Sequence, residues 1–270
     1  MQPTWLIDAD SSLVSSETLR RAASAHSIDV RPVKFFPHKA YPHDIAGAES
    51  IARDACAIFT GSPVFMDHIQ HTRRWRPGGW CTFRNFACDI YYTYFGQFLL
   101  NDSYSLLPAA EAIRQSDVLF NRFGDNGKVF VRPSPAEKLF TGTLANPEQF
   151  SRTLSAADVD PRALMVISTP RVVEREWRLI VCQSNIVAAS QYAECGELTV
   201  QPNCPHEVQK YATDVLQHVT WRPDPIFTMD VCECGNSLHV LELNGFSCSN
   251  LYDCDLQSVV AAVTRLATAS

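Results

Sequence analysis

The sequence has no apolar run near the ~20 residues that a membrane-spanning helix needs. Its opening, MQPTWLIDAD, carries no basic segment ahead of an apolar stretch, so it does not read as a targeting peptide. Excess positive charge is missing too. Lys and Arg number 23 against 29 Asp and Glu, a formal net charge of -6. That balance argues against a nucleic-acid partner while leaving room for a local basic patch. Neither glycine-rich phosphate loop, GxxxxGK[ST] or GxGxxG, is present. No Ser-His-Asp or Cys-His set stands out, and there is no internal repeat or low-complexity segment. These absences predict a cytoplasmic protein with no membrane or nucleic-acid partner and with its ten cysteines reduced. Cys232, Cys234, Cys248 and Cys254 are poorly spaced for a zinc ribbon.

What is present is ordinary for a globular chain. The 270 residues are 46% hydrophobic and 19% charged, enough for one large domain or two modest ones. TWLID, Val30 to Phe36 and ACAIFT read as strands, with a helix over Ser16 to Ser24 capped by Ser15 or Ser16. That order suggests a small α/β layer. Residues 67 to 89 are basic and aromatic, and read either as a solvated loop or as a lid. Residues 91 to 107 read as a core-facing aromatic helix and its exit. Pro108 opens a further helix at its first position. From Val129 the pattern turns to β: VFVR, then ALMVIS over Ala163 to Ser168. Two hairpins follow, around QSN and around CGN. QSVVAAVTRLA is a C-terminal apolar helix.

The second hairpin carries the most chemistry. Glu242 and Asn244 are two apart on one strand and share a face. Asp230 lies in the partner strand. A hairpin loop of odd length puts Asp230 on the face of Glu242; an even loop puts them on opposite faces. On a shared face, two carboxylates and an amide oxygen converge, and Mg²⁺ (or Mn²⁺) would relieve their repulsion. The plainer alternative is three exposed polar residues on a half-wet sheet. In the first hairpin Glu176 and Arg178 share a face. That pair suits either a surface ion pair or an arginine aimed at phosphate. In KVFVRPSPAEKLFTG, Lys128, Phe130 and Arg132 share one strand face. Lys138 follows after a proline loop, so two cations flank the break.

The ordered set VFVRPSPAEKLFTG, ALMVIS, EWRLIV, FTMDV and LELNGFSCSNLY resembles the ATP-grasp superfamily, in particular its two-arginine, one-lysine clade of predicted ATP-dependent ligases. The upstream CDIYYTYFGQFLLND is also similar, so the likeness covers roughly residues 85 to 255. It implies an α+β protein of ATP-grasp fold, two α+β subdomains clasping ATP, behind a small α/β N-terminal domain. The expected division is 1–110, 111–168 and 169–270. It further implies that Arg132 and Lys138 contact the α- and β-phosphates and that Arg178 reaches the γ-phosphate side. Lys128 and Glu176 join the nucleotide set, and the backbone of Met165, Val166, Ile167 and Ser168 reads adenine. Asp230, Glu242 and Asn244 hold the metal. Arg178 and Lys138 are the expected catalytic cations. The implied reaction joins a carboxylate to an amine through an acyl phosphate, on a peptide, protein or amino-acid substrate. Two alternatives share the scaffold: an ATP-dependent phosphotransferase and a non-catalytic ATP-binding protein. NGFSCSNLY departs from the Ser/Gly-rich turn expected after the metal strand, and the N-terminal portion, including HTRRWRPGGW, matches no family motif. Substrate choice is expected to reside in those two parts.

Overall fold

Short apolar runs separated by turns build a parallel sheet first. In the computed structural model, which describes residues 2–13, 16–41, 43–136 and 139–269, β1 is Thr4–Asp8 and α1 is Ser16–Ser24. Ser15 lies outside the described residues. β2 (Asp29–Phe35), β3 (Ile45–Ala46), β4 (Cys56–Thr60), α2 (Pro63–Thr72) and β5 (Arg76–Gly78) follow. The strand order is β3-β2-β1-β4-β5, parallel except for β3.

The basic aromatic stretch 67–89 is not a solvated loop. Its first part completes α2, which Pro63 opens and whose Phe65, Met66 and Ile69 are buried. Its remainder buries Trp75, Trp80, Cys81 and Phe86. The aromatic rings outweigh the charges, because each large ring repays burial with ~1.5–3 kcal/mol.

α3 (Cys88–Phe95) ends at Gly96, which adopts φ +20. The chain then enters β6 (Tyr104–Pro108), a strand where the sequence suggested the exit of a helix. Pro108 closes β6 and precedes α4 (Ala109–Arg114), which α5 (Ser116–Phe123) continues. β7 (Val129–Pro133), β8 (Thr143–Ala145), α6 (Pro147–Leu154) and β9 (Leu164–Ser168) complete a second unit. Its antiparallel sheet runs β6-β9-β7-β8. One face packs Val129, Val131, Met165 and Ile167 against Ala112, Leu119, Phe123 and Phe150 of the helices. The other face carries Arg132 and Val166.

The third unit is an antiparallel sheet of order β12-β11-β10-β13-β14. Its members are β10 (Arg175–Cys182), β11 (Asn185–Glu194), β12 (Glu197–Gln201), β13 (Ile226–Cys234) and β14 (Ser237–Gly245), with α7 (His206–His218) between β12 and β13. On one face Trp177, Leu179, Met229, Val231 and Val240 pack against α3 and α7. The other face is split. Ile180, Cys182 and Ile226 pack with α8 (Leu256–Thr268) and with Trp5, Ile7 and Leu19 of the first unit. Arg178, Asp230, Glu242 and Asn244 occupy the remainder.

The first unit is bolted to the third. Trp80 N–H donates to Ser247 Oγ at 2.9 Å, Ser247 N–H to the Trp80 carbonyl at 3.1 Å, and Gly61 N–H to the Ser247 carbonyl at 2.9 Å. Gly245 is required by this close approach, since a Cβ there would lie 2.3 Å from Cys81 Sγ.

Candidate functional site

The row that matters crosses three strands. Arg178 on β10 stands opposite Asp230 on β13, and Asp230 stands opposite Glu242 on β14. The β13–β14 turn is two residues long, with Gly235 at φ +61 as a type II′ turn requires. An even loop alone would put Asp230 and Glu242 on opposite faces. A β-bulge corrects it: Val231 pairs with Val240 and Asp230 with Glu242, which leaves Leu241 as the extra residue. The bulge turns Glu242 and Asn244 back onto the face of Asp230. Asn244 Nδ2 is 2.9 Å from Glu242 Oε1 and 3.5 Å from Asp230 Oδ2, so the three side chains converge on one point.

Both carboxylates carry an arginine. Arg178 makes a forked pair with Asp230, Nε to Oδ1 at 2.8 Å and Nη2 to Oδ2 at 2.7 Å, and donates through Nη1 to the Asn250 carbonyl at 2.9 Å. Asp230 is fully buried and Arg178 is 7% exposed. Burial works against the charge of Arg178, and the Asp230 carboxylate more than offsets it, so the guanidinium is held above its ordinary range. Arg132, at the end of β7, donates to Glu242 Oε2 at 3.1 Å across the cleft between the second and third sheets. Burial also opposes the charge of Arg132, but its surroundings, the Glu242 carboxylate among them, outweigh that and hold the guanidinium above its ordinary range.

Glu176, also on β10, accepts a hydrogen bond from the Tyr192 hydroxyl. Its pKa is raised, chiefly by burial. The Tyr192 and Tyr252 rings stack at 4.8 Å, and the Arg178 guanidinium lies 5.5 and 5.1 Å from their centres. These two tyrosines, and the Cys88–Tyr91–Tyr92 wall beside Arg132, were not legible as site residues. Periodicity shows an aromatic as core and cannot show which cation it will flank.

The remaining candidates scatter more. Lys128 is exposed on the turn Asp125–Lys128 that leads into β7. Lys138 lies outside the described residues. Met165, Val166, Ile167 and Ser168 are buried in β9, and each is opposed by β6 on one side and β7 on the other. Their backbone groups lie in the ladder between two paired strands. Beyond Ser168 the chain leaves the ladder and stays outside any strand through 174. Ser168 Oγ donates to Asn101 Oδ1 at 3.0 Å and anchors that exit.

The donor set fits a hard divalent cation: two carboxylates and an amide, which offers an oxygen as readily as a nitrogen. Among the described residues no group of three or more histidine, cysteine or carboxylate side chains that could hold a metal forms. A cavity of about 130 Å³ adjoins the site, lined by Pro63, Cys81, Phe83, Phe86, Arg132 and Asn244 among others.

No curated protein sequence matches the chain. Solved structures do. D-alanyl-alanine synthetase A from Vibrio cholerae is 14% identical over 99% of both chains, with a TM-score of 0.62. A RimK domain ATP-grasp protein from Sphaerobacter thermophilus is 14% identical over 98% of this chain and 96% of that one, at 0.59. The ATP-grasp ligase PsnB in complex with a minimal precursor is 12% identical over 99% of both chains, at 0.57. Another PsnB structure holds a minimal precursor, Mg and ADP. At these identities the likeness establishes the fold. The model for family 2 of the two-arginine, one-lysine clade of ATP-grasp domains matches residues 110–262, more than half of the chain. By that match, and with the sheets and cleft described above, the chain belongs to family 2 of this ATP-grasp clade.

Proposed function

We propose that the protein is an ATP- and Mg²⁺-dependent ligase that joins a carboxylate to an amine on a peptide, protein or amino-acid substrate. The observation that carries this reading is the row Arg178–Asp230–Glu242–Arg132 with Asn244 beside it. It sets two arginines and a hard-cation donor set at one point of a cleft between two sheets. The similar structures support it, since they include a D-alanyl-alanine synthetase and a ligase that binds a peptide precursor.

Arg132 and Arg178 would bind phosphate oxygens, with Lys138 and Lys128 as further cations. Segment 169–171, at the exit of β9, would offer backbone groups to adenine, and Glu176 would face the nucleotide. Asp230, Glu242 and Asn244 would hold Mg²⁺, which when bound neutralises charge on the phosphates. The substrate carboxylate attacks the γ-phosphorus, and the bond to the β–γ bridging oxygen breaks. The amine then attacks the acyl carbon, and phosphate leaves. The chain supplies positioning and fixed positive charge, with no protein nucleophile.

Hydroxylamine tests the reading. With ATP, Mg²⁺ and a panel of free amino acids and short peptides, hydroxamate should form as the acyl phosphate is trapped. A stable phosphorylated product without hydroxamate would instead mark a phosphotransferase. Glu242→Ala is expected to abolish the hydroxamate signal.

A further inference from the structure

α3 has no N-cap of its own. Ala87 occupies the cap position and offers no side-chain acceptor, so the first N–H groups of the helix need partners from elsewhere. Ser134 supplies them. Its carbonyl accepts from Cys88 N–H at 2.9 Å and its Oγ from Asp89 N–H at 3.0 Å. The same hydroxyl donates to Asp89 Oδ1 at 2.8 Å, and Ser134 N–H donates to the Leu164 carbonyl at 2.8 Å. Arg84 closes the other side of Asp89, Nη2 to Oδ2 at 2.6 Å. Ser134 is 2% exposed, and every polar group it owns is used. Two residues upstream is Arg132, and the helix so capped carries Cys88, Tyr91 and Tyr92, which lie near enough to Arg132 to couple to it electrostatically. The joint therefore fixes both the strand that bears this cation and the helix that surrounds it.

We propose that Ser134 and Asp89 are positioning residues that set the Arg132 guanidinium for nucleotide binding, acting through the end of β7 and the first turn of α3. Neither need touch the ligand. The inference rests on the reading of Arg132 as a phosphate-binding cation. An ångström-scale displacement of such a group is costly, because its strength depends on alignment fixed before the ligand arrives.

The test is calorimetric binding of Mg²⁺ with a non-hydrolysable ATP analogue, with the thermal midpoint recorded for every variant. Ser134→Ala and Asp89→Ala should each weaken affinity about tenfold, and the double variant no more than either single, since one linkage is lost in all three. Asp89→Asn keeps an acceptor oxygen for the Ser134 hydroxyl and should bind within about twofold of the parent, on the scale of independent small effects. Asp89→Glu keeps the charge but moves the joint by a methylene, and should fold and still bind more weakly. That variant carries the test if the alanine variants fail to fold. Alanine variants that bind like the parent, losses that multiply in the double variant, or Asp89→Glu binding like the parent would overturn the proposal. Failure of the parent itself to bind the analogue would instead overturn the nucleotide reading beneath it.

Discussion

Arg132 and Glu242 meet at 3.1 Å although 110 residues separate them in the chain. With Arg178 on Asp230, each acid that would hold the metal already neutralises a cation that would hold phosphate. A divalent cation arriving alone must draw these acids from their arginines, and a nucleotide arriving alone must draw the arginines from their acids. Either exchange leaves a buried charge without its partner, which costs several kcal/mol. Mg²⁺ and ATP arriving together would satisfy all four groups. Binding of the two is thus expected to be coupled. Removing Mg²⁺ with EDTA should weaken ATP affinity about 10- to 100-fold, the range of ordinary coupling energies, and ATP should strengthen Mn²⁺ binding by the same factor. Calorimetry for the nucleotide and spin resonance for Mn²⁺ would measure both sides. Equal affinities with and without the second ligand would refute the coupling.

At the scale of the element, β14 decides which face its acids take. Side chains in a strand alternate, so one extra residue turns everything beyond it. Leu241 is that residue. Exchanging it with its neighbour, Leu241→Glu together with Glu242→Leu, keeps composition and charge but moves the carboxylate into the unpaired bulge position. Mn²⁺ binding in the presence of nucleotide should be lost, while the circular dichroism spectrum should keep its strand signal. Retained binding would show that the bulge does not set the site. The hairpins themselves were legible, because QSN and CGN are turn chemistry between apolar runs. The bulge was not, since no residue type in VLELN announces it. β6 was missed for a related reason: Tyr104–Pro108 follows an aromatic run continuous with α3, and only pairing with β9 makes it a strand.

At the scale of the whole molecule, one buried acid helps hold the first unit to the third. Asp224, 8% exposed, accepts from Thr82 N–H at 2.9 Å and from Thr82 Oγ1 at 2.6 Å. Burial pushes its pKa up to about 6, and the two Thr82 hydrogen bonds only partly oppose that. The folded state therefore keeps this proton over a window, from about 4 to about 6, in which the unfolded chain has released it. Stability from this group is full below the window and falls as pH rises through it, by on the order of 2 kcal/mol. Asp224→Asn, which does not titrate, should remove that decline. Urea unfolding of parent and variant between pH 4 and pH 7 would show the variant gaining relative stability as pH rises. A constant difference across the range would exclude Asp224 as the source.

Local chemistry was enough to determine the individual pieces. Short apolar runs mark β1, β7, β10, β13 and β14, and Ser16–Ser24 reads as a helix. The ordered motifs from VFVRPSPAEKLFTG to LELNG point to the family, because each rests on neighbours a few residues apart. Tertiary structure alone decided how the pieces meet. It packed the stretch 67–89 into the core and set β9 between two strands. It also placed Ser134 as the cap of a helix that precedes it. Above all it paired Arg178 with Asp230, 52 residues away, and Arg132 with Glu242. The first pairing depends on the register of two adjacent strands, the second on a bulge and on the docking of one sheet over another. Both are set by packing summed over the whole chain, which no local stretch of sequence contains.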